Sequence, residues 1–309
     1  MGGGAVVTDD ATRQRCGLVA VVGAPNAGKS TLVNQLVGAK VSIVTHKVQT
    51  TRTRIRGIAV QDDSQIVFID TPGIFDASRR LERAMVQAAW AGVEDADLVL
   101  LVYDAGRKGI SDDARKVIEG LAARASRLIL VLNKIDLVKR ERLLDLTAQL
   151  SALASFEEVF MVSALTGDGL GDIMGYLADQ MPAGPWLFPE DQLSDISLRM
   201  MAAELTREKL FLNLHQELPY ALTVETEDWE EFKDGSVRIS QTVYVAREQH
   251  KAMCLGKGGR TIRAVREATQ AELQEALGQV VHLFIFVKVR ENWINDPERY
   301  RHLGLEYDA

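Results

Sequence analysis

An eight-residue segment, Gly23 to Ser30, has the residue types and spacing needed to hold phosphate groups. It reads Gly-Ala-Pro-Asn-Ala-Gly-Lys-Ser and matches the pattern G-x-x-x-x-G-K-[ST]. Its glycines allow backbone N–H groups to close around phosphate oxygens, and the start of the following helix adds a favourable dipole. In such a loop Lys29 reaches the β- and γ-phosphates and the Ser30 hydroxyl holds Mg²⁺. Because an apolar strand precedes the segment and a helical pattern follows it, we predict a nucleotide-binding loop.

A second element suited to phosphate chemistry, Asp70-Thr71-Pro72-Gly73, follows the predicted strand Gln65–Ile69. An aspartate at a strand end can hold Mg²⁺ through water, and the Gly73 N–H can contact a γ-phosphate and move when it leaves. A threonine before the second strand should contact the same metal and phosphate. Two adjacent residues offer this hydroxyl, and we predict Thr51, with Thr50 as the alternative.

Recognition of a base is predicted for Asn133-Lys134-Ile135-Asp136, at the end of an apolar strand. The Asp136 carboxylate can accept hydrogen bonds from guanine N1–H and the exocyclic amine. Adenine has no matching donor pair and would leave this carboxylate unpaired, so the site disfavours it. Ser163-Ala164-Leu165, after the next strand, completes the pocket with a backbone N–H for guanine O6.

These elements, in this order and spacing, resemble those of a GTPase of the phosphate-loop class. Many small GTPases place a glutamine directly after D-x-x-G to orient the attacking water, but here that position is Ile74. An aliphatic side chain cannot perform this task, so we expect slow hydrolysis or help from elsewhere. Asn26 resembles the asparagine of potassium-assisted GTPases, where K⁺ stabilises the developing charge. The alternative is that Asn26 only caps the loop.

The elements that position these residues alternate between short apolar strands and helices over the first 180 or so residues. This alternation predicts an α/β domain with a mainly parallel sheet and helices on both faces. Prolines from Pro182 to Pro189 then break any helix. The second half has a different order, α-β-β-α-α-β, with a hairpin at Asp234-Gly235, and predicts an α+β domain.

Composition excludes several classes of protein. A chain of 309 residues exceeds an ordinary single domain, and 47% hydrophobic with 26% charged residues is typical of a folded protein. Two cysteines cannot build a disulfide scaffold or a four-cysteine zinc site. The first 16 residues lack an apolar core, and no apolar run approaches the roughly 20 residues of a membrane span. We therefore expect a cytoplasmic protein.

A Gly-Lys-Gly-Gly segment, 256–259, lies between two predicted helices of the second half. Although the net charge of the chain is −7, the surrounding residues 247–266 are basic. In KH domains a G-x-x-G loop of this kind clamps about four nucleotides of single-stranded backbone. Glycines permit close approach of phosphates, and Lys257 and Arg260 neutralise them. The α-β-β-α-α-β order corresponds to the type II KH arrangement.

The combination of Gln-Thr-Thr-Arg, Asp-Thr-Pro-Gly and Asn-Lys-Ile-Asp with a C-terminal KH domain resembles the bacterial Era family, from about Gly17 to Leu305. The resemblance implies a GTPase that binds GTP and GDP with Mg²⁺ and assists assembly of the small (30S) ribosomal subunit. It also implies a KH domain that recognises the 3′ end of 16S rRNA, a monomeric state and peripheral association with the inner membrane. The alternative function is a membrane-associated GTPase regulating cell cycle or growth, with RNA binding secondary.

The predicted organisation is an N-terminal extension over 1–16, a GTPase domain over 17–182, a linker over 183–193 and a KH domain with its tail over 194–309. The nucleotide is assigned to Gly23, Ala24, Pro25, Asn26, Ala27, Gly28, Lys29, Ser30, Thr31, Asp70, Thr71, Pro72, Gly73, Asn133, Lys134, Asp136, Ser163, Ala164 and Leu165. The hydrolytic step is assigned to Lys29, Asn26, Thr51 and Gly73, and the metal to Ser30, Thr51 and Asp70. RNA is assigned to Lys251, Gly256, Lys257, Gly258, Gly259, Arg260 and Arg263.

Overall fold

The computed structural model describes residues 14–214 and 218–308, so most of the predicted N-terminal extension lies outside the described residues. The chain forms two compact units. Among the described residues the first unit comprises 14–42, 51–78 and 85–195, and the second comprises 43–50, 79–84, 196–214 and 218–308.

The first unit is built on a six-stranded sheet, with strands in the order β2-β3-β1-β4-β5-β6. Its strands are β1 (Arg15–Val22), β2 (Ile55–Gln61), β3 (Ser64–Asp70), β4 (Leu98–Asp104), β5 (Leu128–Asn133) and β6 (Val159–Met161). Its helices are α1 (Lys29–Val37), α2 (Arg80–Glu94, whose first residues belong to the second unit), α3 (Asp112–Arg124), α4 (Arg140–Ser151) and α5 (Leu170–Gln180). Only β2 runs antiparallel to its neighbour, and the other neighbouring strands are parallel.

Helices cover both faces of this sheet, as predicted, because successive side chains of a strand point to opposite faces. Val19 and Val21 of β1 pack in one apolar cluster with residues of α1 and α5. Ala20 and Val22 pack in a second cluster with residues of α2, α3 and α4. Both clusters are buried, so the central strands read as continuous apolar runs.

The second unit has a three-stranded sheet in the order β7-β8-β9, with β7 antiparallel and β9 parallel to β8. Its elements are α6 (Leu198–Asn213), β7 (Leu222–Glu231), β8 (Val237–Val245), α7 (Glu248–Leu255), α8 (Arg260–Leu277), β9 (Val281–Val289) and a short α9 (Pro297–His302). The predicted hairpin turns at Gly235, which has a φ of 80°. Helix α6 begins at Leu198, where the Ser197 hydroxyl caps it by accepting the Met200 N–H at 3.2 Å.

Residues 43–50, which precede Thr51 in the chain, pack along α6 within the second unit. The Val44 N–H donates to Glu208 Oε1 at 2.9 Å. The ammonium group of Lys47 donates to the carbonyls of Phe211 and Leu214 at the end of the helix, where a cation is favoured by the helix dipole. The buried Arg207 guanidinium donates to the Thr50 carbonyl. Tertiary contacts, which periodicity does not reveal, hold this segment.

Candidate functional site

The predicted nucleotide residues come together at the carboxyl ends of the parallel strands, where α/β folds bind ligands. The loops after β1, β3, β5 and β6 carry the phosphate loop, Asp70–Gly73, Asn133–Asp136 and Ser163–Leu165, respectively. These four strands run parallel in one sheet, so the loops that follow them share one edge.

The phosphate loop holds the Lys29 ammonium inside its curve. Lys29 Nζ donates to the Gly23 carbonyl at 3.3 Å and to the Ala24 carbonyl at 3.2 Å. Burial lowers the pKa of Lys29 to about 8; the charge of Asp70 opposes this shift and that of Arg107 adds to it. A polyphosphate in the loop would favour the protonated form and raise the pKa again. Lys29 is therefore a buried cation that an anionic ligand would stabilise.

Three oxygen-bearing side chains meet beside this lysine. The Ser30 hydroxyl donates to Asp70 Oδ2 at 2.7 Å and lies 2.9 Å from Thr51 Oγ1, which in turn lies 3.4 Å from the same Asp70 oxygen. Asp70 Oδ1 is buried and has no hydrogen-bond partner among the residues that the structure describes. Burial raises the pKa of Asp70, although the hydrogen bond from Ser30 and the charge of Lys29 oppose the shift. Hard oxygen ligands around an incompletely paired carboxylate fit Mg²⁺.

The same geometry distinguishes the two candidate threonines. The Thr50 hydroxyl donates to the Lys47 carbonyl at 2.7 Å and lies 2.6 Å from the Thr45 hydroxyl. Thr51 is the residue whose hydroxyl lies at Ser30 and Asp70. The placement favours Thr51 over Thr50 as the metal and γ-phosphate contact.

The Asp70–Gly73 segment lies against the phosphate loop. A Cβ on Gly73 would come within 3.0 Å of the Pro25 nitrogen, so only glycine fits without displacement. The Ile74 N–H donates to the Gly23 carbonyl at 3.2 Å, and the Ile74 side chain is buried in the second apolar cluster. Thr71 is also buried, and its hydroxyl donates to the Val21 carbonyl at 2.8 Å. Thr71 and Ile74 therefore hold this segment in place through side chains turned into the domain.

At the base end of the site, Asp136 is exposed and accepts the Ser163 hydroxyl at 2.6 Å. The Ala164 N–H donates to Asn133 Oδ1 at 3.0 Å, and the neighbouring Leu165 side chain is exposed. Lys134 Nζ donates to the Asn26 carbonyl and to Asp104 Oδ2, both at 2.8 Å. The two segments predicted to form the base pocket are thus joined to each other and to the phosphate loop.

Asn26 itself adopts a left-handed backbone conformation, with a φ of 63°, and its side chain is exposed. Asparagine is one of the few residues that tolerate this region, so the residue type suits the turn. The exposed amide is compatible with both the capping and the cation-binding interpretations.

Arg107, in the loop after β4, belongs to the site although no sequence motif identified it. Its Nη2 atom donates to the Pro25 carbonyl at 2.8 Å. Two features of the sequence could have pointed to Arg107. It lies shortly after β4, the strand next to β1, and it lies close in sequence to Asp104, which pairs with Lys134. Neither feature specifies a contact before the chain is folded.

In the second unit, the Gly256–Gly259 loop joins α7 to α8, and its backbone conformation favours glycine. Three of its residues have positive φ: Gly256 at 71°, Gly258 at 64° and Gly259 at 75°. A Cβ on Gly256 would lie 2.2 Å from Thr261 Oγ1, whereas one on Gly258 or Gly259 would meet no described residue within 4 Å. Gly256 therefore serves packing, and the other two leave open space for a ligand.

Basic side chains and a helix N-terminus surround that open space. Lys257, Arg260 and Arg263 are exposed, and Lys251 is half-buried on α7. Helix α8 has 18 residues and begins at Arg260; its N-cap Gly259 offers no side-chain cap, and the Arg260 N–H donates to the Lys257 carbonyl. The predicted RNA residues thus form one basic surface around the loop.

Other observations concern membrane spans, metal-binding clusters and a buried cysteine. Among the described residues no helix is long and apolar enough to cross a membrane, and no three His, Cys, Asp or Glu residues cluster as a metal site. Cys254 is fully buried, and burial raises its pKa to about 12. It is an apolar core residue rather than a nucleophile.

Comparisons with known proteins agree with this geometry. Residues 18–134 match a family model described as a 50S ribosome-binding GTPase, and residues 217–294 match a KH domain. The fold and the site together define a GTPase of the phosphate-loop class followed by a KH domain, which confirms the predicted fold class.

Two curated relatives are both called GTPase Era. The relative from Sinorhizobium medicae (strain WSM419) is 60% identical over 293 residues, covering 95% of this chain and 94% of the relative. The relative from Mesorhizobium japonicum (strain LMG 29417 / CECT 9101 / MAFF 303099) is 59% identical over 302 residues, covering 98% and 97%. The chain belongs to the Era family of GTPases, as its motifs predicted. It is an enzyme that hydrolyses GTP, with the Mg²⁺ that this class requires.

Solved Era structures share the full architecture. Aquifex aeolicus Era, as a variant bound to GDP·AlF4⁻, matches with a TM-score of 0.89 and 33% identity, covering 94% of this chain and 99% of that one. An Era structure in complex with MgGDPNP and nucleotides 1506–1542 of 16S ribosomal RNA gives the same TM-score, identity and coverage.

Proposed function

We propose that this GTPase holds phosphates with Gly23–Ser30, selects guanine with Asp136, and binds the 3′ end of 16S rRNA through its KH loop during assembly of the 30S subunit. The observation that carries the nucleotide roles is the meeting of Ser30, Thr51 and Asp70 oxygens beside the buried Lys29. These three residues would hold Mg²⁺, which supplies positive charge to the β- and γ-phosphates.

Hydrolysis in this proposal depends on backbone and cation contacts, because the side chain after Gly73 is the buried Ile74. Lys29 and the Gly73 N–H would contact the γ-phosphate, and Thr51 would order with it. We further propose that K⁺ near Asn26 supplies positive charge in the transition state. Replacing K⁺ by Na⁺ at constant ionic strength should then slow hydrolysis. Equal rates in the two salts would leave Asn26 with the capping role alone.

The RNA part rests on the basic surface around Gly258 and on the Era structure that contains 16S rRNA nucleotides. The proposal extends to a monomeric cytoplasmic protein with domains over 17–182 and 194–309, a linker over 183–193 and an extension over 1–16. It includes peripheral contact with the inner membrane. Sedimentation with anionic lipid vesicles tests that contact and, with it, the alternative of a membrane-associated regulator.

The decisive experiment is binding to a short RNA that ends in the 16S rRNA 3′ sequence, with a GTP analogue, with GDP and with neither, at one salt concentration. We expect tight, nucleotide-dependent binding and weaker binding to a scrambled RNA of equal length. Equal affinity for both RNAs in every state would refute the partner assignment. Because the GTPase family model refers to the 50S subunit, association with purified 30S and 50S subunits should be measured in parallel. The comparison shows which of the two subunits this protein binds.

A further inference from the structure

The Pro25 carbonyl of the phosphate loop accepts a hydrogen bond from a cation in a different part of the chain. Arg107 Nη2 donates to it at 2.8 Å. Arg107 follows β4, and the nucleotide motifs do not include it. The next carbonyl, that of Asn26, accepts Lys134 Nζ at 2.8 Å. Two consecutive carbonyls of the loop are therefore directed at cations from neighbouring strand ends.

A held carbonyl also sets the direction of the N–H in the same peptide unit, because the peptide is planar and its C=O and N–H point in opposite directions. The N–H paired with the Pro25 carbonyl is that of Asn26. Pro25 has no N–H of its own, and the Ala27 N–H donates within the loop to the Ala24 carbonyl at 3.3 Å. The Asn26 N–H is thus the donor in this stretch whose direction Arg107 determines, and it points away from Arg107.

Arg107 is well placed to perform this task because its own loop is braced. Its N–H donates to the Asp104 carbonyl at 3.2 Å, and its carbonyl accepts Arg142 from α4. Pro25 also lies against Gly73, where an added Cβ would come within 3.0 Å of the Pro25 nitrogen. Pro25 therefore contacts both Arg107 and the glycine proposed to contact the γ-phosphate. The charge of Arg107 also contributes to lowering the pKa of Lys29, so its electrostatic effect extends to the lysine inside the loop.

We propose that Arg107 is a positioning residue for GTP hydrolysis, which holds the Pro25 carbonyl and so aims the Asn26 N–H at the polyphosphate. A preorganised donor beside the developing charge costs no rearrangement when the bond to the leaving group breaks. The inference rests on the nucleotide roles proposed above. It goes beyond them because it assigns a positioning role to a residue in the loop after β4, which lies outside every nucleotide motif.

The test compares Arg107→Ala and Arg107→Gln with Lys108→Ala, a matched change at the exposed neighbouring residue. The measurements are kcat and KM for GTP, Kd for GDP, the thermal unfolding temperature, and the ³¹P spectrum of bound GDPNP. We expect Arg107→Ala to lower kcat roughly tenfold to a hundredfold and to shift the phosphate resonances. GDP affinity and unfolding temperature should stay close to wild type. Arg107→Gln, which keeps a donor without the charge, should recover part of the rate.

Three results would overturn the inference. One is an unchanged kcat in Arg107→Ala. Another is a loss of kcat accompanied by an equal loss of GDP affinity or of thermal stability, which would indicate a structural role. The third is a rate for Arg107→Gln no higher than for Arg107→Ala when both are folded. If the wild-type protein itself bound no GDP, the proposed nucleotide site would fail, and this outcome is distinct from the other three.

Discussion

The side-chain amide of Asn133 donates a hydrogen bond to the carbonyl of Ala27 at 2.9 Å. This bond joins the segment proposed to recognise the base to the middle of the phosphate loop, so the protein itself fixes the distance between these two parts of the proposed site. The contact also explains Gly28. A Cβ there would lie 2.2 Å from the same Asn133 nitrogen, and the φ of Gly28 is 97°.

Guanine selection should depend on the Asp136 carboxylate. In Asp136→Asn the amide presents a donor to guanine N1–H, so we expect GTP affinity to fall by about a hundredfold and xanthosine triphosphate to bind better than GTP. Competition against a fluorescent GDP analogue measures both affinities. Asp145→Asn, at an exposed aspartate of α4, is the control. Wild-type GTP affinity in Asp136→Asn would refute the base-pocket assignment.

The adjacent threonines provide a matched pair. Thr51→Ala removes the hydroxyl beside Ser30 and Asp70, so we expect a higher Mg²⁺ requirement and hydrolysis slower by roughly tenfold or more. Thr50→Ala removes a hydroxyl that bonds only to Lys47 and Thr45 among the contacts described above, and should stay within about threefold of wild type. Hydrolysis measured across a Mg²⁺ titration checks both. The reverse ranking would reassign the contact to Thr50.

RNA binding should require open space at Gly258. Gly258→Asp places a negative charge where phosphates approach, and aspartate tolerates the left-handed backbone better than most residues. We expect RNA affinity to fall by about tenfold or more, while GTP hydrolysis is unchanged. Gly235→Asp is the control, since Gly235 has a φ of 80° and equal space around it. Equal RNA affinity for the two variants would remove the KH loop from the interface.

Introducing a glutamine directly after the D-x-x-G element, in place of Ile74, should not make hydrolysis fast. Ile74 is only 5% exposed and packs in the second apolar cluster. Ile74→Gln would bury an unpaired amide, and we expect a loss of roughly 2–4 kcal/mol of stability by urea unfolding. Single-turnover hydrolysis should not exceed the wild-type rate. A faster variant with unchanged stability would show that the segment can turn this side chain toward the nucleotide.

Cys254 should be unreactive in the folded protein. Because burial raises its pKa to about 12, little thiolate forms at pH 8, and we expect alkylation by iodoacetamide only at the rate of unfolding. A raised folded-state pKa means that the neutral thiol stabilises the fold below about pH 9, and that this contribution is lost as pH rises toward 12. Mass spectrometry after native and denatured labelling checks the first expectation. Rapid native labelling of Cys254 would contradict the assigned burial.

The family, the fold class and the motif positions were predictable from the chain alone, because each is encoded locally. Gly23–Ser30 needs a defined backbone shape, the strands need apolar runs, and Asp136 was predicted to recognise a base from its place just after a strand. The order of these elements along the chain is itself specific. The G-x-x-G loop was recognised for the same reason, since its glycines and flanking helices are neighbours in sequence.

Other features depended on residues that are distant in sequence and meet only after folding. The hydroxyl of Thr51, and not that of Thr50, lies near Asp70, because side chains one residue apart point in different directions. The partner of Thr51 at this point belongs to β3, which is distant in sequence. Arg107 reaches Pro25 because β4 lies beside β1 in the sheet. Residues 43–50 pack on α6, which follows about 150 residues later. Local pattern carries no information about such pairings, which strand order and packing decide.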